Sequence, residues 1–379
     1  MEKTYNVGII GFGFIGRVHA YGYENMKYFY GSKSLKTRLF GVCTGHKETA
    51  EKARREFGFQ VATDNFLELV EHPEIDIINI CSPNIFHKDQ ILAAIKSGKH
   101  IYCDKPLVTN TLEADEIESA LQHYTGVHQV TFHLRFYPAT LKARTLVEKG
   151  ALGRIISFRI AYYHSGSVDP NKPMGWKQEK SMGAGVLADL GSHVIDLAYF
   201  LCGEFGRVSG ISRILYPERP GPDRIMRKVE AEDMVIVSAM MKNGAIGVIE
   251  ASKIATGSQD EMKFEIYGTG GALKYNSMEP NFLEFYDQSD PDEPVGGRAG
   301  FKKLVTVSRF PEPVASFPGP KFAVGWLQGH VHCLANFLEA IQNRRKASPS
   351  FHDGIYNARL LDKVRASQDA ETWVSIDDA

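Results

Sequence analysis

Short apolar runs alternate with amphipathic stretches over the first third of the chain. The apolar runs lie at residues 7–10, 39–43, 75–81 and 100–103, and the amphipathic stretches include residues 47–57 and 87–97. Strands that alternate with helices are typical of βαβ units, which build a parallel sheet. A further apolar run at residues 127–132 is expected to close this sheet near residue 130.

The pattern changes after residue 130. It predicts helices at residues 137–149 and 186–201, a strand at 155–163, and a loop at 165–185 that is rich in Gly, Pro and Lys. A loop of that length in a compact domain is more often functional than idle. Strand-like runs follow at residues 208–215, 234–240, 245–251, 263–267 and 272–275. Consecutive strands joined by short turns indicate an antiparallel or mixed sheet.

Two predicted helices, at residues 325–343 and 353–366, complete the pattern. The chain has 379 residues, enough for two domains that each bury a core. The predicted fold class is therefore α/β. A parallel-sheet domain at 1–125 is followed by an α+β domain with a large mixed or antiparallel sheet at 126–379.

The net charge, the apolar runs and the cysteines of the chain exclude several classes of protein. There are 44 Lys and Arg against 45 Asp and Glu, for a formal net charge of −1. A nucleic-acid partner usually demands a basic face, so we expect none. No uncharged apolar run approaches the roughly twenty residues that span a bilayer, and an apolar strand begins at Tyr5, which leaves no room for a signal peptide. The five cysteines are scattered, which favours buried reduced thiols in a cytoplasmic protein.

The segment Gly11-Phe12-Gly13-Phe14-Ile15-Gly16 matches the G-x-G-x-x-G dinucleotide fingerprint. It follows the first predicted strand and opens a helical pattern, which is the context that the fingerprint requires. Gly11 is expected to form the tight turn, Gly13 to admit the pyrophosphate, and Gly16 to let helix pack on strand. The helix N-terminus then faces the phosphates. We therefore predict an NAD(P) site that includes all six residues.

The end of the second predicted strand bears on the choice of cofactor. An acidic residue usually holds the ribose 2′-hydroxyl there, but this chain has Cys43-Thr44-Gly45-His46-Lys47. Without a carboxylate to repel a 2′-phosphate, and with His46 and Lys47 able to meet it, the site leans modestly toward NADP. The alternative is that His46 and Lys47 are merely exposed at a helix start, although a basic group there opposes the helix dipole.

Two further segments follow predicted strands of the same sheet. Ser82, Pro83, Asn84 and His87 come after the fourth strand, where their backbone is expected to lie along the ribose and pyrophosphate. His87 by itself equally suits a packing or capping role. Cys103-Asp104-Lys105-Pro106 ends the fifth strand. Ligands bind at the carboxyl ends of such strands, so Lys105 is expected to face the reacting end of the cofactor, with its geometry fixed by proline.

Asp189 and His193 lie four residues apart on an apolar helical pattern, so they share one face. A lysine, an aspartate and a histidine beside a dinucleotide indicate redox chemistry on a sugar or polyol. One alternative is a buried core histidine with the aspartate as its hydrogen-bond partner. A zinc site made by the Asp/His pair is another, but no HExxH motif or cysteine cluster supports it, and we predict no metal.

Together these segments resemble the Gfo/Idh/MocA oxidoreductases over nearly the whole chain. The resemblance lies in the glycine motif, in 82–87, in Asp104-Lys105-Pro106 and in Asp189-Leu190-Gly191-Ser192-His193-Val194-Ile195-Asp196. The glycine motif is generic, whereas the combination of Lys-Pro with Asp-x-Gly-x-His-x-x-Asp is specific. The family usually has Glu-Lys-Pro, so Asp104 is a mild departure.

The resemblance implies a Rossmann domain and roles for particular residues. Lys105, Asp189 and His193 would line the active site as catalytic and substrate-binding groups, and Asp104 and Lys105 would also contact the cofactor. The stretch His133-Leu134-Arg135 is similar to a family Asn-Tyr-Arg segment, which implies that Arg135 binds substrate, although His133 replaces the asparagine. Gly175-Trp176-Lys177 resembles a Trp-Arg segment, which implies substrate binding by Trp176, with Lys177 departing from arginine.

The implied activity is NAD(P)-dependent oxidation of a secondary hydroxyl on a sugar, glycoside or cyclitol. His193 would take the proton, Lys105 would stabilise the developing charge on oxygen, and Asp189 would orient substrate or histidine. One alternative is a lyase or glycosidase that uses tightly held NAD for transient oxidation. Another is a non-catalytic sensor that binds a dinucleotide. Family members are commonly homodimers or homotetramers, and we expect self-association through an open face of the second sheet.

Overall fold

The computed structural model describes residues 3–31, 34–308 and 314–377, which divide into two compact units. The first unit consists of residues 1–136, 315–319 and 326–359, and the second consists of residues 137–314, 320–325 and 360–379. The predicted boundary at residue 125 therefore differs from the one that the contacts define.

The first unit contains a six-stranded parallel sheet in the order β3-β2-β1-β4-β5-β6. Its strands are β1 (Tyr5–Ile10), β2 (Thr37–Cys43), β3 (Val61–Thr63), β4 (Ile77–Ile80), β5 (His100–Cys103) and β6 (His128–Val130). The helices after them are α1 (Phe14–Tyr30), α2 (Lys47–Phe57), α3 (Phe66–Val70), α4 (His87–Lys96) and α5 (Thr111–Leu121). This order confirms the predicted parallel-sheet domain, and it adds β3, α3 and α5, which were not predicted.

Both faces of this sheet are covered. Ile9 belongs to one buried apolar cluster and its neighbour Ile10 to another, because alternate residues of a strand point to opposite faces. All four residues of β4 are buried. A parallel strand covered on both faces has no face exposed to solvent, which is why β1 and β4 are largely apolar.

The second unit contains a nine-stranded sheet in the order β16-β15-β14-β13-β7-β12-β11-β8-β17. The strands of this unit are β7 (Ile155–Tyr163), β8 (Phe205–Arg213), β9 (Glu218–Pro220), β10 (Met226–Lys228), β11 (Met234–Met241), β12 (Ile246–Ser252), β13 (Glu261–Gly268), β14 (Gly271–Asn276), β15 (Phe282–Asp287), β16 (Lys302–Val305) and β17 (Val374–Ser375). β7 and β12 run parallel, and the other neighbours in the sheet are antiparallel. The predicted mixed sheet is confirmed.

Helices α6 (Pro138–Glu148) and α7 (Ser192–Cys202) also belong to the second unit. α7 continues directly from a π-helical turn at Leu187–Gly191 and packs against β7 and β12. Along β11 every second residue is buried, so one face of the sheet carries the core.

One helical stretch, Lys180–Cys202, is long and apolar enough to cross a membrane by length and composition alone. The protein buries 83% of its 18-residue apolar window. Burial of this extent is typical of a core helix.

The last two helices are α8 (Trp326–Gln342) and α9 (Phe351–Asp369). α8 packs on α1 in the first unit, where a Cβ added to Gly22 would approach Leu334 to 2.9 Å. Phe337 of α8 is fully buried in the same cluster as Ile9. A segment some 300 residues away along the chain therefore completes the first core, which a linear domain boundary does not capture.

Candidate active site

The loop between β1 and α1 has the geometry that its glycines predict. Gly11 has a φ of +89°, and a Cβ added there would overlap the carbonyl of Cys81. A Cβ on Gly16 would overlap the carbonyl oxygen of Gly11. By contrast, a Cβ on Gly13 would meet no atom within 4 Å. The loop is therefore tight at Gly11 and Gly16 and open at Gly13, the position where the pyrophosphate approaches in this motif.

The start of α1 fits a phosphate group. Gly13 is the N-cap residue and makes no side-chain cap, and the first turn contains no acidic residue. The amide groups of that turn are not capped by a side chain, and the helix dipole favours an anion at this end. The described residues therefore suit a dinucleotide pyrophosphate.

The two phenylalanines of the loop differ in environment. The Phe12 ring is buried and packs edge-on against Phe57 and Phe59. Its side chain belongs to the core, so only its backbone can serve the cofactor as predicted. The Phe14 ring is 75% exposed and stacks on Trp326, with a centroid distance of 5.7 Å.

The residues after β2 form a small hydroxyl cluster. Thr44 Oγ1 and Thr49 Oγ1 lie 2.5 Å apart, and each lies 2.8 Å from the carbonyl oxygen of His46. Gly45, His46 and Lys47 are exposed. Burial and then the charges of Asp64 and Glu68 raise the pKa of the Cys43 thiol to about 12. Two carboxylates thus act on the end of β2 although none lies in 43–47.

The buried His87 side chain lies between the loop after β4 and the loop after β5. Its Nε2 lies 2.9 Å from the carbonyl oxygen of Ser82, and its Nδ1 lies 3.0 Å from that of Pro106. The side chain is fully buried, and burial lowers its pKa. These contacts give His87 a positioning role, because both ring nitrogens face backbone carbonyls, while its predicted contact with the cofactor stays a prediction.

Lys105 follows β5 as predicted, and the Lys105–Pro106 peptide bond is cis. Asp104 donates its backbone N–H to the Ile80 carbonyl at 2.9 Å, which ties the strand end to β4. Nearby, the hydroxyl of Ser82 donates to Oε1 of Gln90 at 2.7 Å, and a short 3₁₀ turn that begins at the buried Asn84 leads into α4.

An aromatic cluster in the first unit was not predicted. His133 stacks on His330 with a centroid distance of 3.9 Å, and Trp326 lies 4.2 Å from the His330 ring. Burial, followed by electrostatic interaction with His133, His19 and Lys105, holds the pKa of His330 well below its ordinary value. His330 is therefore neutral, and neither of its ring nitrogens has a hydrogen-bond partner among the described residues.

Arg135 ties two segments of the first unit together. Its guanidinium is buried and donates to Oδ1 of Asp353 at 3.0 Å. It also lies 5.9 Å from the centroid of the Phe132 ring. These contacts give Arg135 a structural function, while the predicted contact with substrate stays a prediction.

In the second unit Asp189 lies on the π-helical turn that precedes α7. Its carboxylate accepts from Nζ of Lys177 at 2.9 and 3.1 Å and forms an ion pair with Nζ of Lys253 at 3.1 Å. Lys253 follows β12 and is only 8% exposed. Lys253 was not predicted from the sequence, because its importance depends on the contact with Asp189 that the fold creates.

His193 is buried on α7, one turn after Asp189. Its ring packs edge-on against Tyr162 with a centroid distance of 5.9 Å. The Tyr162 hydroxyl donates to Oδ1 of Asp260 at 2.5 Å, and Nε2 of His164 lies 2.8 Å from the same oxygen. The structure therefore brings together, in one unit, the predicted His193 and three polar residues that were not predicted.

Trp176 lies on a short 3₁₀ turn of the long loop and is 37% exposed. Nζ of Lys177 lies 5.8 Å from its ring centroid. The ring is thus accessible and adjacent to the lysine that holds Asp189, which suits the predicted contact of Trp176 with substrate.

Neither a metal site nor a disulfide is found in the described part of the chain. No group of three or more His, Cys, Asp or Glu side chains there could hold a metal ion. All five cysteines are buried and free, as predicted, and burial raises the pKa of each thiol.

Two family models match the chain. The model described as an oxidoreductase family with an NAD-binding Rossmann fold matches residues 5–132. The model of the GFO/IDH/MocA C-terminal domain matches residues 140–274. The first unit thus defines a dinucleotide-dependent oxidoreductase.

Individual relatives extend the match to the full length. Levoglucosan dehydrogenase of Pseudarthrobacter phenanthrenivorans is 34% identical, across 99% of this chain and 98% of that protein. The scyllo-inositol 2-dehydrogenase (NAD(+)) of Bacillus subtilis is 31% identical, across 72% of this chain and 74% of that protein. A solved structure of levoglucosan dehydrogenase in complex with NADH and levoglucosan is 33% identical, covers 100% of both chains and has a TM-score of 0.94. The chain belongs to the Gfo/Idh/MocA family of oxidoreductases.

Proposed function

We propose that this protein catalyses the reversible oxidation of a secondary hydroxyl on a sugar, glycoside or cyclitol. The observation that carries the proposal is the pairing of two features within one chain. The first unit has a phosphate-binding glycine loop and a lysine, Lys105, at the end of β5. The second unit has a buried histidine, His193, one helical turn from a carboxylate held by two lysines. Relatives named for levoglucosan and inositol support this substrate class.

The cofactor is a nicotinamide dinucleotide, which accepts the hydride when it is bound. The amides at the start of α1 would hold the pyrophosphate, and the open face of Gly13 would let the cofactor approach. The loop at 82–87 and the Asp104–Lys105 step would flank it. His87 fixes those two segments relative to each other.

In this proposal His193 takes the proton of the substrate hydroxyl, and Lys105 stabilises the charge that develops on its oxygen. A neutral imidazole accepts a proton near pH 7, so His193 serves as the base toward the substrate hydroxyl. Lys105 would donate a hydrogen bond to the substrate oxygen and stabilise the negative charge that develops there. The carboxylate of Asp189, already aligned by lysines, accepts a hydrogen bond from the substrate and orients it.

The preference for NADP over NAD is a finer proposal. It rests on Thr44, Gly45, His46 and Lys47, which include no carboxylate to repel a 2′-phosphate. Asp64 and Glu68 act against it, since their charges reach the end of the same strand. A relative named for NAD(+) and a structure with NADH favour NAD in those proteins.

The test is a screen of sugars, glycosides and inositols with both cofactors, following absorbance of the reduced nicotinamide. We expect turnover with at least one of these compounds. His193→Asn should lower kcat about 10²–10⁴-fold, and Lys105→Met about 10²–10³-fold. The matched controls His123→Asn and Lys96→Met change exposed residues of the same type in the first unit and should behave as the wild type.

Three results would contradict this assignment. Product formation without net reduction of the cofactor would favour the lyase or glycosidase that oxidises its substrate transiently. Tight dinucleotide binding without turnover of any compound would favour the sensor. A pH–rate series in which Lys105→Met, and not His193→Asn, removes the acidic limb would reverse the roles of the two residues.

A further inference from the structure

Asp189 is held by two lysines that differ in their surroundings. The side chain of Lys253 is 10% exposed, and the side chain of Lys177 is 49% exposed. Both ammonium groups lie within 3.1 Å of the Asp189 carboxylate. One carboxylate is therefore bound by two ammonium groups, one from a buried lysine and one from a partly exposed lysine.

The backbone around Lys253 is fixed. Its N–H donates to the Asp233 carbonyl at 2.8 Å, and its carbonyl accepts from the N–H of Ser167 at 2.9 Å. It directly follows β12, a strand with a partner on each side. The side chain of Lys253 therefore extends from a rigid part of the sheet, which limits where its ammonium group can lie.

The backbone of Asp189 is fixed as well. Oε1 of Glu232 accepts from the N–H of Leu187 at 2.9 Å, at the start of the π-helical turn. The hydroxyl of Ser192 donates to the Ala188 carbonyl at 2.6 Å, at its end. π-Helical turns inside helices occur frequently at functional sites. With the main chain of Asp189 anchored at both ends of the turn, the remaining freedom lies in its side chain.

A buried ion pair contributes little to the stability of a fold. Removing both charges from water offsets most of their attraction, and apolar residues of similar volume often stabilise as well or better. Stability alone therefore does not explain a lysine at this position. An ammonium ion does what an apolar side chain cannot, because it fixes the direction of the carboxylate.

We propose that Lys253 is a positioning residue that acts through Asp189. It holds the carboxylate in the orientation that the substrate hydroxyls require, whereas Lys177 links the long loop carrying Trp176 to the same carboxylate. Loss of Lys253 therefore affects the chemical step, and loss of Lys177 affects the binding of sugar. This inference rests on the proposed function, because it assigns Asp189 a contact with the sugar.

The experiment compares steady-state kinetics of Lys253→Met and Lys177→Met with the wild type. Misplacement of a catalytic contact by about 1 Å can lower a rate about 10²-fold. We expect Lys253→Met to lower kcat about 10- to 100-fold with unchanged affinity for the cofactor. Lys177→Met should mainly raise the KM for sugar. The matched control is Lys242→Met, which removes an exposed lysine that bridges Glu204 and Asp377 in the same unit.

A double-mutant cycle separates action through Asp189 from general damage. If Lys253 works through Asp189, Lys253→Met should change kcat by less than about threefold when Asp189→Asn is already present, because residues in one network are not additive. Full additivity of the two losses overturns the proposal, and so does wild-type kcat in Lys253→Met. Thermal unfolding shows whether each variant is folded. If Lys253→Met is unfolded, Lys253→Gln replaces it with the same expectations.

The result is distinguishable from a failure of the proposed function. A wild type that oxidises no sugar or cyclitol refutes the function itself. An active wild type whose Lys253 variants remain fully active refutes only the positioning role.

Discussion

At the scale of single residues, the glycines of the loop between β1 and α1 serve two functions, since one is needed for folding and another for binding the cofactor. A Cβ on Gly11 would overlap backbone and would also need a positive φ, so this position serves the fold. A Cβ on Gly13 would meet no protein atom within 4 Å and would occupy only the space left for the cofactor. One motif therefore contains two glycines that are required for different reasons.

Alanine at the two positions should accordingly give different results. We expect Gly13→Ala to keep the thermal stability of the wild type and to weaken NADH binding at least about tenfold, equivalent to about 1.4 kcal/mol. Gly11→Ala should lower the unfolding temperature as well, because its backbone conformation is unfavourable for alanine. Calorimetric unfolding and fluorescence titration with NADH measure the two effects. Equal loss of stability in both variants would refute the distinction.

Cofactor choice gives a second test on single residues. Thr44→Asp places a carboxylate at the end of β2, where it would repel a 2′-phosphate and accept from a ribose hydroxyl. We expect this variant to weaken NADP(H) selectively, and the wild type to bind NADP(H) at least as tightly as NAD(H). Titration of both proteins with both cofactors measures this. A strong preference of the wild type for NADH would contradict the lean toward NADP and would point to the charges of Asp64 and Glu68.

Candidate residues that lie in a local sequence pattern could be proposed from the sequence, and residues that meet only by folding could not. Lys105, Asp189 and His193 were recognisable because each lies in a local pattern with a chemical reason. Lys253 and His330 were missed because their significance depends on partners that the fold supplies, from 64 residues away in the first case (253 minus 189) and from α1 and the segment around His133 in the second. Spacing does not encode such contacts.

At the scale of elements, β6 and the start of α9 are linked through a histidine. Nδ1 of His128 accepts from the N–H of Phe351 at 3.0 Å, and the two rings pack with a centroid distance of 4.9 Å. Burial, followed by the charges of His352 and Lys346, lowers the pKa of His128 from 6.5 to about 4. The junction therefore requires a neutral imidazole, because the protonated ring cannot accept from that N–H.

This lowered pKa predicts a loss of stability in acid. The unfolded chain binds a proton at His128 below about pH 6.5, whereas the folded chain resists it until about pH 4. The contribution of His128 is full above pH 6.5 and is lost as the pH falls through 4. Its size is at most about 3.5 kcal/mol, at about 1.4 kcal/mol for each unit of pKa. Urea unfolding of the wild type and of His128→Gln between pH 4 and 7 measures it.

We expect His128→Gln to show a shallower dependence of the free energy of unfolding on pH than the wild type. Other buried histidines contribute to both proteins, so the difference between the two slopes isolates His128. The exposed His123 provides the control, since His123→Gln should keep the slope of the wild type. Identical slopes in the wild type and His128→Gln would show that this junction is not coupled to pH.

Elements with a complete apolar pattern were predictable, whereas β3 and β17 were not. α2, β5 and β7 have the predicted bounds, because each shows the full apolar pattern of its type. Strands of two or three residues, such as β3 and β17, contain too few positions to show any period. The π-helical turn before α7 was also not predicted, since a single turn leaves the helical pattern around it almost unchanged.

At the scale of the whole molecule, the second unit leaves part of its sheet uncovered. On the face opposite the core, β8 carries Ile211, which is 68% exposed, and β12 carries Ile246 and Val248, which are 54% and 40% exposed. β11 lies between these two strands. Exposed apolar patches of this kind mark surfaces that interact with another protein. A second copy of this chain is the partner that we expect here.

A dimer formed through this face would place each substituted residue in the interface twice, because a two-fold interface uses the same patch of both copies. We expect the wild type to be a dimer or tetramer at micromolar concentration, and Ile211→Lys combined with Val248→Lys to shift it to a smaller species. Light scattering coupled to size exclusion measures the mass. Ile225→Lys, which changes a 64% exposed residue outside the nine-stranded sheet, should leave the mass unchanged. A monomeric wild type, or a double variant that keeps its mass, would show that this face does not join two copies.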